Sequence, residues 1–142
     1  MILGWWIGAS TFLITKDLAL TPEKTILIVD DHEDVRRSLA DILEARGYEV
    51  YTASDGQEAV EAVRNRPFCF VVMDIRMPRK DGVQALKELR KLRPEVPVAL
   101  VSVYNMHSST QRFLDLGAVA VLTKPLDIEN LISLLNKHCM RP

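Results

Sequence analysis

From Thr25 onward the chain alternates short apolar runs with stretches of helical periodicity. The runs TILIV, CFVVM, PVALV and AVAVL are nearly continuous in apolar residues, as strands covered on both faces of a parallel sheet must be. The run YEVYTA alternates instead, which predicts a strand at a sheet edge. Between the runs, Val35, Leu39, Ile42 and Leu43 fall at i, i+4, i+7 and i+8, and Ile128, Leu131, Ile132 and Leu135 at i, i+3, i+4 and i+7. Both spacings predict one apolar helix face. Gly56–Arg64 and Val83–Leu92 read as two further helices, and Gly47 and Gly117 stand where helix C-caps belong. The segment Met106–Leu116 has the poorest apolar spacing, with only Phe113, Leu114 and Leu116 to bury, so it is expected to be the softest helix.

Five strands alternating with five helices predict an α/β fold: a single doubly wound, five-stranded parallel sheet with helices on both faces, joined by right-handed crossovers. The chain of 142 residues holds one such domain and no second. The expected division is an apolar leader over 1–23, the domain over 24–138 and a tail over 139–142. Residues 1–15, MILGWWIGASTFLIT, carry no charged side chain, but a helix of that length reaches about 22 Å against a hydrocarbon core of about 30 Å. Three readings of the leader stand: translation from a start placed too far upstream, a segment docking on a membrane surface or a partner, or a signal or anchor that lacks the usual basic flank. Membrane contact by residues 1–15 is not the leading one.

Composition narrows the class. With 48% hydrophobic and 26% charged residues the chain is neither disordered nor polytopic, and a net charge of −1 with no basic block argues against direct nucleic-acid binding. Cys69 and Cys139 show no CxxC or Cys/His spacing, which supports neither a disulfide scaffold nor a zinc site and fits a reducing, cytoplasmic setting. His32, His107 and His138 are far apart and are expected to be solvated residues at helix ends or in loops.

The candidate chemistry lies at the ends of the apolar runs. Asp30 and Asp31 end the first, Asp74 the third, Ser102 the fourth and Lys124 the fifth, just before Pro125. In a doubly wound sheet all five positions share the carboxyl edge, where ligands bind at the topological switch point. Two unit charges about 4 Å apart repel by roughly 4 kcal/mol at an effective dielectric of about 20, so three clustered carboxylates call for cations or protons. A divalent ion of the Mg²⁺ type together with Lys124 answers that need, since Mg²⁺ prefers oxygen ligands and couples carboxylates to phosphate. One carboxylate is then placed to attack phosphorus and form an acyl phosphate, and Asp74 is the candidate. Capping of the next helix is the plainer reading of Asp31 alone, but capping explains neither the hydroxyl nor the lysine.

The segments LIVDDHEDVRRSL, VVMDIRMPRKDG, LVSV and LTKPL, taken as an ordered set, resemble the signature segments of bacterial response-regulator receiver domains. The resemblance runs from Lys24 to about Lys137. It implies the flavodoxin-like three-layer sandwich with strand order 2-1-3-4-5. It further implies that Asp74 takes a phosphoryl group from a phosphohistidine on a sensor histidine kinase. Asp31, Asp74 and the backbone carbonyl of Arg76 would ligate Mg²⁺, with Asp30 helping through water. Ser102 and Lys124 would bind the remaining phosphoryl oxygens, and a cis peptide before Pro125 would aim the lysine inward. The family often carries Tyr or Phe three residues before the lysine as a rotamer partner for the switch hydroxyl, where Val121 stands here. Tyr104 and Arg76 flank the site as candidates for tuning phosphoaspartate hydrolysis.

The implied function is a phosphorylation-switched signalling module rather than an enzyme. Its expected partners are a sensor histidine kinase or a histidine phosphotransfer protein, a downstream target protein, and a second copy through the face of the fourth helix, fifth strand and fifth helix. A relay intermediate and a receiver piece of a longer regulator are alternatives. A Mg²⁺-dependent phosphatase with an Asp nucleophile would need a second Asp two residues after Asp74, where Arg76 stands. A flavodoxin would need a Ser/Thr/Gly-rich phosphate loop where DDHEDV is acidic. A pseudo-receiver would lack part of the constellation, yet all five residues are present.

Overall fold

Two buried strands side by side explain why the apolar runs read as they do. A computed structural model of the chain describes residues 24–77, 80–103 and 107–139. Its elements in chain order are β1 (Thr25–Val29), α1 (Glu33–Ala45), β2 (Glu49–Ala53), α2 (Gly56–Asn65), β3 (Phe70–Asp74), α3 (Gly82–Leu92), β4 (Val98–Ser102), α4 (His107–Asp115), β5 (Ala120–Thr123) and α5 (Ile128–His138). The sheet has the order β2-β1-β3-β4-β5, every pairing is parallel, and the register sets Ile26 beside Val50 and Phe70, and Val72 beside Ala99. Every residue of β3 and β4 is buried. The edge strand β2 is partly exposed, and its alternating sequence follows from having one neighbour and a wet rim.

Side-chain alternation divides the interior in two. Leu27, Val29, Val71, Met73, Val98 and Leu100 face one core with residues of α2, α3 and α4, including Val60, Leu86 and Phe113. Ile26, Ile28, Phe70, Val72, Ala99 and Val101 face the other with Leu39 and Leu43 of α1 and Leu131 and Leu135 of α5. This is the expected three-layer sandwich. Two positions of the α1 stripe lie outside it, for Val35 and Ile42 remain 38% and 36% exposed. The helix is held by Leu39 and Leu43, and the outer residues of the stripe line a surface groove with Leu39, Pro125, Leu126 and Ile128.

Helix ends follow their sequence signals. Asp55, Asp81 and Asp127 cap α2, α3 and α5, their side chains accepting from the N–H groups of Glu58, Gln84 and Asn130. Gly47 and Gly117 adopt φ of 96° and 112°, the left-handed conformation that closes a helix without a Cβ clash.

One expectation fails. Cys69 and Cys139 are joined in a disulfide, with Cα atoms 5.2 Å apart. Cys69 immediately precedes β3 and Cys139 caps the end of α5, so the crossover that lays α5 on the sheet brings together residues separated by 70 positions. The leader 1–23 lies outside the described residues, as does Tyr104. Among the described residues no helix is long and apolar enough to cross a membrane.

Candidate functional site

The sheet delivers its charged residues to one edge. Asp30 immediately follows β1, its N–H donating to the Ala53 carbonyl at 3.1 Å, and Lys124 follows β5, its N–H donating to the Ser102 carbonyl at 2.8 Å. Asp74 is the last residue of β3 and pairs in register with Val101. The edge lies where the chain leaves β1 for β2 on one side and β3 flanks it on the other, the switch point of a doubly wound sheet.

The structure brings Asp30, Asp31, Asp74 and Lys124 together, with Ser102 on the adjoining strand end. The Lys124 ammonium donates to Asp30 Oδ2 at 2.9 Å and to Asp74 Oδ2 at 3.2 Å. Asp30, Asp74 and Ser102 are buried at 4%, 6% and 4% exposure, whereas the Asp31 side chain is one-third exposed. The peptide between Lys124 and Pro125 is cis. The Arg76 N–H donates to Asp74 Oδ1 at 3.2 Å, and the Arg36 guanidinium donates to the Asp30 carbonyl at 2.6 Å. Val121 stands beside Leu100 in β5 and is half-buried against the α2–α4 core.

Capping does not account for Asp31. The N-cap of α1 is His32, whose side chain makes no cap hydrogen bond. His32 is the residue that sequence reasoning passed over. It is solvated as expected, at 66% side-chain exposure, yet its Nδ1 stands 3.0 Å from Asp30 Oδ1 and 3.1 Å from Asp31 Oδ1. The available signal was its place directly after two acidic residues at a helix start. His138, exposed at the far end of α5, sets its ring 5.6 Å from that of Phe70.

The electrostatics divide the two buried carboxyls. Burial pushes Asp74 up, and the Asp30 charge adds to it, against the opposing pull of the Arg76 N–H and the Lys124 ammonium; its pKa lies above the usual value. Asp30 is also pushed up by burial, but the His32 N–H and the Lys124 ammonium outweigh this and hold it below the usual value. Lys124 is drawn down by burial and raised further by hydrogen bonding to Asp30 and the charge of Asp74, so it stays cationic. Hydrogen bonding to Asp30 and the charge of Asp31 raise His32. The cluster Asp30, Asp31, His32 and Asp74 offers one donor atom each, all within 4.8 Å of one another. Such an oxygen-rich set fits a hard divalent ion.

The end of β3 at Asp74 is packed tightly against α3. A Cβ on Gly82 would press into the Asp74 carbonyl oxygen and stand 2.8 Å from Ile75 Cα, both backbone and unable to yield. Gly82→Ala is therefore expected to destabilise the fold by about 1–3 kcal/mol. Denaturant midpoints measure this, and an unchanged midpoint would show that the turn relaxes freely.

Residues 26–136 match the response regulator receiver domain family. The chain belongs to that family. It is 39% identical over 112 residues to the transcriptional regulatory protein ZraR of Escherichia coli O157:H7, covering 79% of this chain and 25% of that protein. It is 36% identical over 119 residues to the transcriptional regulatory protein PdtaR of Mycobacterium tuberculosis, covering 83% of this chain and 58% of that one. The chain thus spans about a quarter to somewhat over half of these relatives. Among solved structures, the Francisella response regulator 1452 receiver domain superposes with a TM-score of 0.76 at 30% identity, over 80% of this chain and 94% of that one. The fold and the receiver character expected from the signature segments are both borne out.

Proposed function

We propose that Asp74 is the phosphoryl acceptor of a Mg²⁺-dependent switch, loaded from the phosphohistidine of a sensor histidine kinase or a phosphotransfer protein. The observation that supports this most is the Lys124 ammonium poised between the buried carboxylates of Asp30 and Asp74. A carboxylate oxygen of Asp74 attacks phosphorus, the bond from phosphorus to the donor breaks, and the donor leaves with that electron pair. Lys124 then exchanges its contact with Asp74 for a phosphoryl oxygen, and the Ser102 hydroxyl binds another. Asp31, Asp74 and the Arg76 carbonyl would hold the ion, with Asp30 acting through water. Bound Mg²⁺ supplies neutralisation of the clustered negative charge. Arg76 and Tyr104 tune water access to the acyl phosphate, while Val121 leaves the switch without an aromatic rotamer.

Output on this reading is a change at the face of α4, β5 and α5, where Leu114 of α4 is exposed, read by a target protein or a second copy. The domain proper is 24–138, the leader is dispensable to the chemistry, and the setting is cytoplasmic.

The test is incubation with acetyl phosphate and Mg²⁺, followed by intact mass measurement. The expected result is the mass of one phosphoryl group, absent when a chelator removes the ion. Equal modification with and without chelator would overturn the metal dependence, and no modification under either condition would overturn the acceptor role.

A further inference from the structure

The acidic cluster contains one nitrogen donor, and its placement is specific. His32 occupies the N-cap of α1 in an extended conformation, with φ −96° and ψ 115°, but its side chain makes no cap hydrogen bond. Its own N–H donates to Asp30 Oδ1 at 2.9 Å, which closes a turn that points the imidazole back over the two carboxylates. Nδ1 then stands 3.0 Å from Asp30 Oδ1 and 3.1 Å from Asp31 Oδ1. Neighbouring donors around a six-coordinate ion with bonds of about 2.1 Å stand about 3.0 Å apart. The 3.1 Å separation of Nδ1 from Asp31 Oδ1 therefore suits hydrogen bonding without an ion and shared ligation with one.

We infer that His32 is a side-chain ligand of the acidic site and sets its metal preference, favouring Mn²⁺ and later first-row divalent ions over Mg²⁺. The inference rests on the proposed reading of Asp31, Asp74 and the Arg76 carbonyl as a divalent-ion site, with Asp30 acting through water. Mg²⁺ gains little from a nitrogen donor because it favours oxygen and holds its waters, whereas imidazole suits the transition ions, whose affinities rise along the series from Mn²⁺. The exposed His32 ring touches both carboxylates at once, and the absence of a side-chain cap bond means that α1 loses none when the ring is replaced.

Calorimetric titrations of the full chain with Mg²⁺ and with Mn²⁺ test this, in mildly alkaline buffer that keeps the imidazole neutral. His32→Ala should weaken Mn²⁺ by at least about tenfold, the loss typical even of groups that act on a metal through another ligand, and should leave Mg²⁺ within about twofold. His32→Gln, which returns an oxygen donor, should keep Mg²⁺ binding and still lose the Mn²⁺ preference. Co²⁺ absorption should change between wild type and His32→Ala, reporting the loss of nitrogen ligation. An unchanged Mn²⁺ to Mg²⁺ ratio in both variants, or an unchanged Co²⁺ spectrum, would overturn the role of His32. Asp31→Asn separates the two levels: if it binds both ions as wild type does, the acidic cluster is not the metal site and the inference falls with it.

Discussion

Asp74→Asn is expected to abolish the phosphoryl mass gain while leaving the folded state at least as stable as wild type at neutral pH. The amide keeps the shape of the side chain and an oxygen to accept the Arg76 N–H, but it is not a nucleophile. The stability half of the expectation follows from the raised pKa of Asp74, whose largest cause is burial. A carboxyl whose folded pKa lies above its unfolded value contributes stability below the unfolded pKa and loses it as pH rises through the folded pKa. At neutral pH the ionised group therefore weighs against folding, and the amide removes that weight. Urea midpoints should show the variant more stable at neutral pH, with the advantage fading in acid where wild type is protonated. A variant modified like wild type would remove Asp74 from the acceptor role, and a lower midpoint at neutral pH would show that Lys124 contributes more to Asp74 than burial takes away.

Reduction of the Cys69–Cys139 bond should be the largest single loss of stability available without touching the site. The bond joins positions 70 residues apart, and closing a loop of that size in the unfolded chain is worth about 4 kcal/mol on the chain-entropy account. Denaturant unfolding with and without reductant should show a loss of that order in wild type and no response in Cys139→Ala. Identical wild-type midpoints in both conditions would show either that the thiols are already free or that strain in the folded state cancels the constraint. Because reducing surroundings break such bonds, the answer also bears on the cytoplasmic setting proposed above.

How far the sequence disclosed this protein depends on the range over which each feature is encoded. The sheet was legible because strands buried on both faces require apolar side chains along their length, and β3 and β4 meet that requirement up to their last residues, Asp74 and Ser102. The edge position of β2 followed from the same rule, whereas the strand order came from the resemblance to receiver domains. The convergence of Asp30, Asp31, Asp74, Ser102 and Lys124 was legible because each directly follows or ends an apolar run, and parallel strands bring such ends to one edge. The stripe on α1 was read too broadly, since periodicity assigns Val35 and Ile42 to a face but does not say how far the neighbouring elements cover it. The disulfide was not legible: its two residues meet only through the path of the last crossover, and no spacing rule extends across 70 positions. His32 was missed for the opposite reason, since its role depends on the geometry of a two-residue turn.

The same bond has a mechanical consequence. Helix α5 starts three residues after Pro125, beside the pocket, and ends against Cys139 at the other rim of the sheet. Its 11 residues span about 16 Å. With its far end tied to the start of β3, α5 would act as a lever with a fixed fulcrum, resisting sliding along its axis more than swinging at the pocket end. A pull on Lys124 would then turn α5 about Cys139, moving Ile128 more than His138. Cutting the tether would free the helix to translate as well, so oxidised and reduced chains would send different displacements to whatever rests on that face.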